Sequence, residues 1–283
     1  MARTGSVSTS FAGSSASGGG FTGAADRLVR NDAFEKVARA GFVMAGIVHI
    51  LIGYIAIRLA FGGGGGSADQ SGAMAELAKE PGGGVALWVG AVAFVVLGLW
   101  KLVEGIVGHK RDRGEDRSDL FHRAKAIGEA VIYAVLAYTA FSFAKGSGSS
   151  GQQQKAGVTA ELMKSTGGSL LLALIGLGII GVGGYYVYKG ATQKFTKDLD
   201  AAGTWARRLG TVGYIAKGLA LAGIGVLVII ATTRSEPDKA SGLDGALKTL
   251  GAQPYGPYLL VIAAIGIITY GVYNFIRAKH AKM

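Results

Sequence analysis

The sequence contains no cysteine, so it can hold neither a disulfide nor a thiolate-bound metal. It has only four histidines, His49, His109, His122 and His280, scattered through unrelated segments. No zinc-binding spacing joins them, which argues against a metal enzyme. Charge is also scarce, at 17% of the 283 residues. The long apolar runs show no two-residue alternation, which sets aside a membrane β-barrel. No strand-framed phosphate loop, nucleophile and base pair or paired-carboxylate motif stands out, so no cofactor or catalytic residue is expected.

What is abundant is apolar residue and glycine: half of the chain is hydrophobic and 48 positions are Gly. Six stretches, approximately 41–61, 85–103, 126–144, 169–188, 210–231 and 257–276, are long enough to cross a hydrocarbon core of roughly 30 Å as helices. They are organised by a repeat. Gly72-Ala-Met-Ala-Glu76-Leu77 matches Gly157-Val-Thr-Ala-Glu161-Leu162, and Gly98-Leu-Trp100 matches Gly183-Gly-Tyr185 and Gly271-Val-Tyr273. One supersecondary unit is thus used three times. The expected fold is an all-α integral membrane protein, its six spans forming three tandem two-helix repeats around a pseudo-threefold axis. The expected boundaries are a Ser/Gly-rich tail over 1–33, repeats over 34–108, 121–192 and 193–283, and a charged linker over 109–120.

Basic residues mark the orientation. Connections on the side of the two termini carry 21 Lys and Arg and those on the other side carry 7, which predicts cytoplasmic termini in a bacterial plasma membrane. The same bias accounts for the net charge of +11 without nucleic acid as a partner. Residues Asp26 to Arg39 read as a short amphipathic helix whose basic face suits anionic lipid headgroups. The segments 73–79, 158–164 and 243–249 read as short helices lying on the outer surface.

The third copy is the most specific: Gly242-Leu-Asp-Gly-Ala-Leu-Lys-Thr-Leu-Gly-Ala-Gln-Pro254-Tyr-Gly256, then Gly266-Ile-Ile-Thr-Tyr-Gly271-Val-Tyr273-Asn-Phe-Ile-Arg277. It resembles the unit of the domain-of-unknown-function 1206 family of bacterial integral membrane proteins. Matching openings occur at Ala40-Gly41-Phe42 and at Leu209-Gly210-Thr-Val-Gly-Tyr214. The middle copy departs, with Lys125-Ala-Ile127 where the first has Gly41-Phe-Val43. The resemblance implies a fold and a membrane location but no activity.

Ionisable groups within spans are the functional candidates, because they are costly at membrane depth. Aligning Gly46, Ala130 and Gly218 makes Ala45, Glu129 and Lys217 equivalent, so Glu129 and Lys217 are expected to pair. His49 aligns with Tyr133 and Leu221 and is a candidate proton carrier or a hydrogen-bonded core group. Arg58 can snorkel outward, and Lys101 and Glu104 read as anchors. The string Gly176-Leu-Gly178-Ile-Ile-Gly181 imitates a dinucleotide fingerprint but lies within a span, so Gly176, Gly178 and Gly181 are expected to serve helix packing. Trp100, Tyr185 and Tyr273 read as an interfacial aromatic belt. The functional expectation is a non-enzymatic structural, interaction or lipid-associated protein, with a small transporter or channel as the alternative.

Overall fold

The computed structural model describes residues 32–63, 66–107, 116–148, 159–200, 203–236 and 242–281. In chain order the helices are α1 (Asp32–Ala60), α2 (Gln70–Lys79), α3 (Gly83–Val107), α4 (Asp116–Ala144), α5 (Thr166–Ala191), a 3-10 turn (Lys194–Asp198), α6 (Thr204–Arg234), α7 (Leu243–Gly251) and α8 (Gly256–His280). Residues 159–163 add a helical turn before α5. Helices α1, α3, α4, α5, α6 and α8 are long and apolar enough to cross a membrane. Among the described residues the only extended pairing is one bridge, Leu199 to Ala281.

The expected tail lies almost wholly outside the described residues. So do residues 109–115 of the charged linker, whose remainder from Asp116 onward is already α4. The amphipathic helix is not separate where it is described: from Asp32 the backbone runs unbroken into the first span.

The short helices α2 and α7 do more than lie on a surface. Asp69 caps α2 by accepting from the Gly72 amide at 2.9 Å, the usual service of an Asp at a helix start. That helix sinks Met74, fully buried, while α7 sinks Leu247 at 3% exposure. Asp244 of α7, itself fully buried, accepts from the Ala68 amide at 2.7 Å and pairs with Lys248 at 2.8 Å. The two caps are therefore tied together. Below them Ile52, Ile55, Leu87 and Leu260 complete an apolar core. This is called the capped end, and the opposite end, which carries the start of α1 and the end of α8, the basic end.

The spans pack in an order set by the repeat. The second span of each unit lies against the first span of the next: α3 on α4, α5 on α6, and α8 on α1. Small residues at equivalent positions make these seams close. A Cβ at Gly46 would stand 2.9 Å from the Gly271 carbonyl, one at Gly218 2.6 Å from the Gly183 carbonyl, and one at Gly98 3.5 Å from the Ala130 carbonyl. Two helical turns on, Gly53 meets the Ala264 carbonyl at 2.9 Å and Gly225 that of Gly176 at 2.5 Å. Backbone approach of this kind is how membrane helices associate when lipid is as apolar as the side chains.

The expected packing string is only partly right. Gly176 is in the α5 and α6 seam, but Gly178 and Gly181 have nothing within 4 Å of a Cβ position. The reason is helical phase: Gly176 and Gly183, seven residues apart, share a face, and the other two glycines point away from it. The seam glycines are Gly176, Gly183, Gly218 and Gly225.

Candidate functional site

The basic half of the bundle differs from the capped half. Polar side chains converge there from all six spans: His49 of α1, Lys101 and Glu104 of α3, Glu129 and Tyr133 of α4, Tyr186 of α5, Tyr214 and Lys217 of α6, Tyr270 and Arg277 of α8. The repeat explains the gathering. Lys101, Tyr186 and Asn274 are equivalent second-span positions, as are Glu104, Lys189 and Arg277, while Glu129 and Lys217 share a first-span position. Three copies of one scaffold thus gather diversified polar groups at the basic end of the spans.

Glu129 and Lys217 are not joined directly, contrary to the pairing expected from their equivalence. Glu129 pairs with Lys101 at 3.2 Å and with Lys125 at 3.8 Å, and Lys101 also holds Glu104 at 2.7 Å. The Lys217 ammonium donates to the Tyr270 hydroxyl at 2.9 Å and sits over the rings of Tyr270 and Tyr186 at 4.5 and 4.8 Å. The physical reason is the seam. Each first-span residue meets the second span of the preceding unit, so Glu129 finds Lys101 and Lys217 finds Tyr186, at equivalent places in successive seams.

His49 lies edge-on to Tyr270, with ring centroids 5.0 Å apart. Its Nδ1 is 2.7 Å from the Ala45 carbonyl, which fixes the proton on Nδ1, because a carbonyl can only accept. The Nε2 atom then carries the ring's lone pair. Arg277 is held over the Phe42 ring at 4.3 Å and donates to the Asn274 side-chain oxygen at 3.4 Å. It stands within electrostatic reach of Glu129, Tyr133, Tyr214 and Tyr270.

The charges do not balance locally. Among the described residues neither Lys217 nor Arg277 has a carboxylate within the 4.0 Å of an ion pair. Both rely on aromatic faces, a neutral hydroxyl and an amide. Two interior cations whose direct contacts are all neutral groups make an electropositive region, called the chamber. Tyr133, Tyr186 and Tyr270 bring hydroxyls to it, and a hydroxyl can donate to an anion.

Beside the chamber, Phe195 of the 3-10 turn is fully buried, its ring 5.1 Å from that of Tyr214 and 5.4 Å from that of Tyr273. Tyr273 is therefore fully buried rather than part of an interfacial belt. Trp100 and Tyr185, its equivalents, keep intermediate exposure. Lys189, buried at 6% exposure, is neutralised by Asp198 of the same turn. Sequence reasoning missed Tyr270, Tyr214 and Arg277 as site residues. Register alone could have found Arg277, because it aligns with Glu104 and Lys189.

The profile of a Domain of Unknown Function, DUF1206, matches residues 40–108, 124–193 and 212–281. The chain belongs to that family and carries its unit three times. It is 29% identical over 258 residues to the uncharacterized protein YxxB of Bacillus subtilis (strain 168), a match covering 88% of this chain and 92% of the relative. No solved structure matches it.

Proposed function

We propose that this multi-pass DUF1206 protein is a non-enzymatic binding protein that holds an anion of the phosphate class in its inner chamber. The observation that carries this reading is the pair Lys217 and Arg277, both lacking a carboxylate partner among the described residues. An oxyanion with several acceptor atoms would satisfy both cations and accept from the tyrosine hydroxyls. The apolar core packed at the capped end argues against a continuous pore, which ranks a channel second. The basic end faces the cytoplasm of a bacterial plasma membrane in this reading, by the bias of Lys and Arg.

The test is thermal unfolding of the purified chain in detergent, with glycerol phosphate as probe. Wild type should be stabilised in proportion to probe concentration. Lys217→Met removes an uncompensated interior charge, so without probe it should unfold no earlier than wild type. Yet it should bind at least about tenfold more weakly, the loss of one charge-assisted hydrogen bond. Equal stabilisation of wild type, Lys217→Met and Arg277→Met would sink the proposal. A loss of probe-free stability alone would assign Lys217 to structure.

A further inference from the structure

In units one and three the two spans of a unit also pack on each other. A Cβ at Gly41 of α1 would stand 3.1 Å from the Ala93 carbonyl of α3, and one at Gly213 of α6 would stand 2.8 Å from the Tyr270 Cα of α8. A turn further on, the side chain of Met44 fills the space over Gly90, and Ala216 fills that over Gly266. The middle unit lacks this contact: among the described residues α4 and α5 do not pack along their length. Gly128, which aligns with Met44 and Ala216, and Gly178, which aligns with Ala93 and Gly266, have nothing within 4 Å of a Cβ position. Ile132 of α4 is 60% exposed where its counterpart Val48 is 2% exposed. Val182 of α5 is 49% exposed where Leu97 and Tyr270 are 0% and 3% exposed.

One residue accounts for the opening. Lys125 occupies the position of Gly41 and Gly213, where even a methyl group would press on the opposing backbone. A lysine at the point of closest approach wedges the two helices apart. Its ammonium instead lies 5.8 Å from the centre of the Tyr185 ring and 3.8 Å from Glu129. Behind the opening, from opposite sides, stand Glu129 and Tyr133 of α4 and Tyr186 of α5, all members of the chamber.

We propose that the space between α4 and α5 is a lateral portal through which the phosphate of an anionic phospholipid reaches Lys217 and Arg277. This rests on the reading of the chamber as an anion site and names the source of the anion. Charge complementarity selects the headgroup, because the chamber carries cations without carboxylate partners. The walls select the tail. Ile132, Ile175 and Val182 are exposed and apolar, so acyl chains can remain between α4 and α5 in the bilayer while the headgroup enters.

The test uses the full chain in nanodiscs of phosphatidylcholine containing increasing phosphatidylglycerol, read by the thermal midpoint and by lipid retained on transfer to detergent, measured by mass spectrometry. Lys125→Gly should let α4 and α5 close and should weaken phosphatidylglycerol binding at least about tenfold. Lys125→Met keeps the wedge without the charge and should retain most of the binding. Closure has its own readout, because the chain is free of cysteine. In a Gly128→Cys, Gly178→Cys chain a disulfide should form on oxidation only when Lys125→Gly is also present, since bridging needs Cα atoms within about 7 Å. If Lys125→Gly binds phosphatidylglycerol as wild type does while Lys217→Met does not, the portal is overturned and the anion chamber stands. Equal loss in Lys125→Gly and Lys125→Met would overturn the wedge. Glycerol phosphate stabilising the chain as strongly as phosphatidylglycerol would identify a free phosphate as the ligand and overturn the lipid. No effect of Lys217→Met on either probe would remove both readings.

Discussion

Each polar residue of the chamber takes its role from the residue facing it across a seam, and this decides what single substitutions do. Lys101 and Glu129 face each other between α3 and α4 at 3.2 Å. The equivalent positions between α5 and α6 hold Tyr186 and Lys217, a cation over a ring at 4.8 Å. Between α8 and α1 they hold Asn274 and Ala45, and the Asn274 amide donates to its own helix at the Tyr270 carbonyl instead. A double-mutant cycle on Glu129→Gln and Lys101→Met should therefore show coupling of about 1 kcal/mol, typical of residues in one charged network. The cycle on Glu129→Gln and Lys217→Met should be additive within about 0.5 kcal/mol. Thermal or denaturant unfolding in nanodiscs measures both, and strong coupling in the second cycle would contradict the seam assignment. That Glu129 and Lys217 are equivalent was legible from the repeat. That equivalence separates residues around an axis, rather than joining them, follows only once the order of packing is known.

At the scale of helices, glycine phase separates contact from bystander. Helix α5 buries Gly168, Gly176, Gly183 and Gly190, a stripe on which Gly178 and Gly181 do not lie. Gly183→Leu should cost about 1–3 kcal/mol by overpacking against Gly218 and Ala222. Gly181→Leu should leave the unfolding midpoint nearly unchanged, and a large loss there would mean that the free face of α5 is covered. The six spans and their hairpin order could be read from hydropathy and repeat, because both are local. The burial of α2 and α7 could not, because it depends on partners distant in sequence, as when Asp244 accepts from the Ala68 amide. A further device recurs between units. Arg39 donates to the carbonyls of Ala278 and Lys279 at 2.8 and 2.6 Å, and Arg123, 84 residues on in the alignment of the first spans, donates to that of Ile106 at 2.6 Å. The first spans of units one and two thus clasp the open C-terminal carbonyls of the preceding second span, where cations are favoured. The third unit has Thr211 at this position and makes no such clasp. Arg39→Ala should lower stability by about 1 kcal/mol through the α8 and α1 seam. An unchanged midpoint would leave the clasp without energetic weight.

The whole molecule is polar in an asymmetric way, and that asymmetry fixes what its orientation means. The capped end packs α2 and α7 over an apolar core, which favours arrival of a chamber ligand from the basic end or sideways through the membrane leaflet at that end. If the basic end is cytoplasmic, the chamber serves the leaflet whose anionic lipids attract Lys and Arg. Orientation can be tested on a chain that has no cysteine of its own. Glu80 is exposed at the capped end, just past α2, and Lys197 is exposed on the 3-10 turn at the basic end. A membrane-impermeant maleimide should label Glu80→Cys in intact cells and should label Lys197→Cys only after permeabilisation. The reverse result would turn the chamber to the outer leaflet. The charge pattern would then have to be explained by ligand binding rather than by insertion, because basic residues facing outward oppose the bias that normally sets membrane topology.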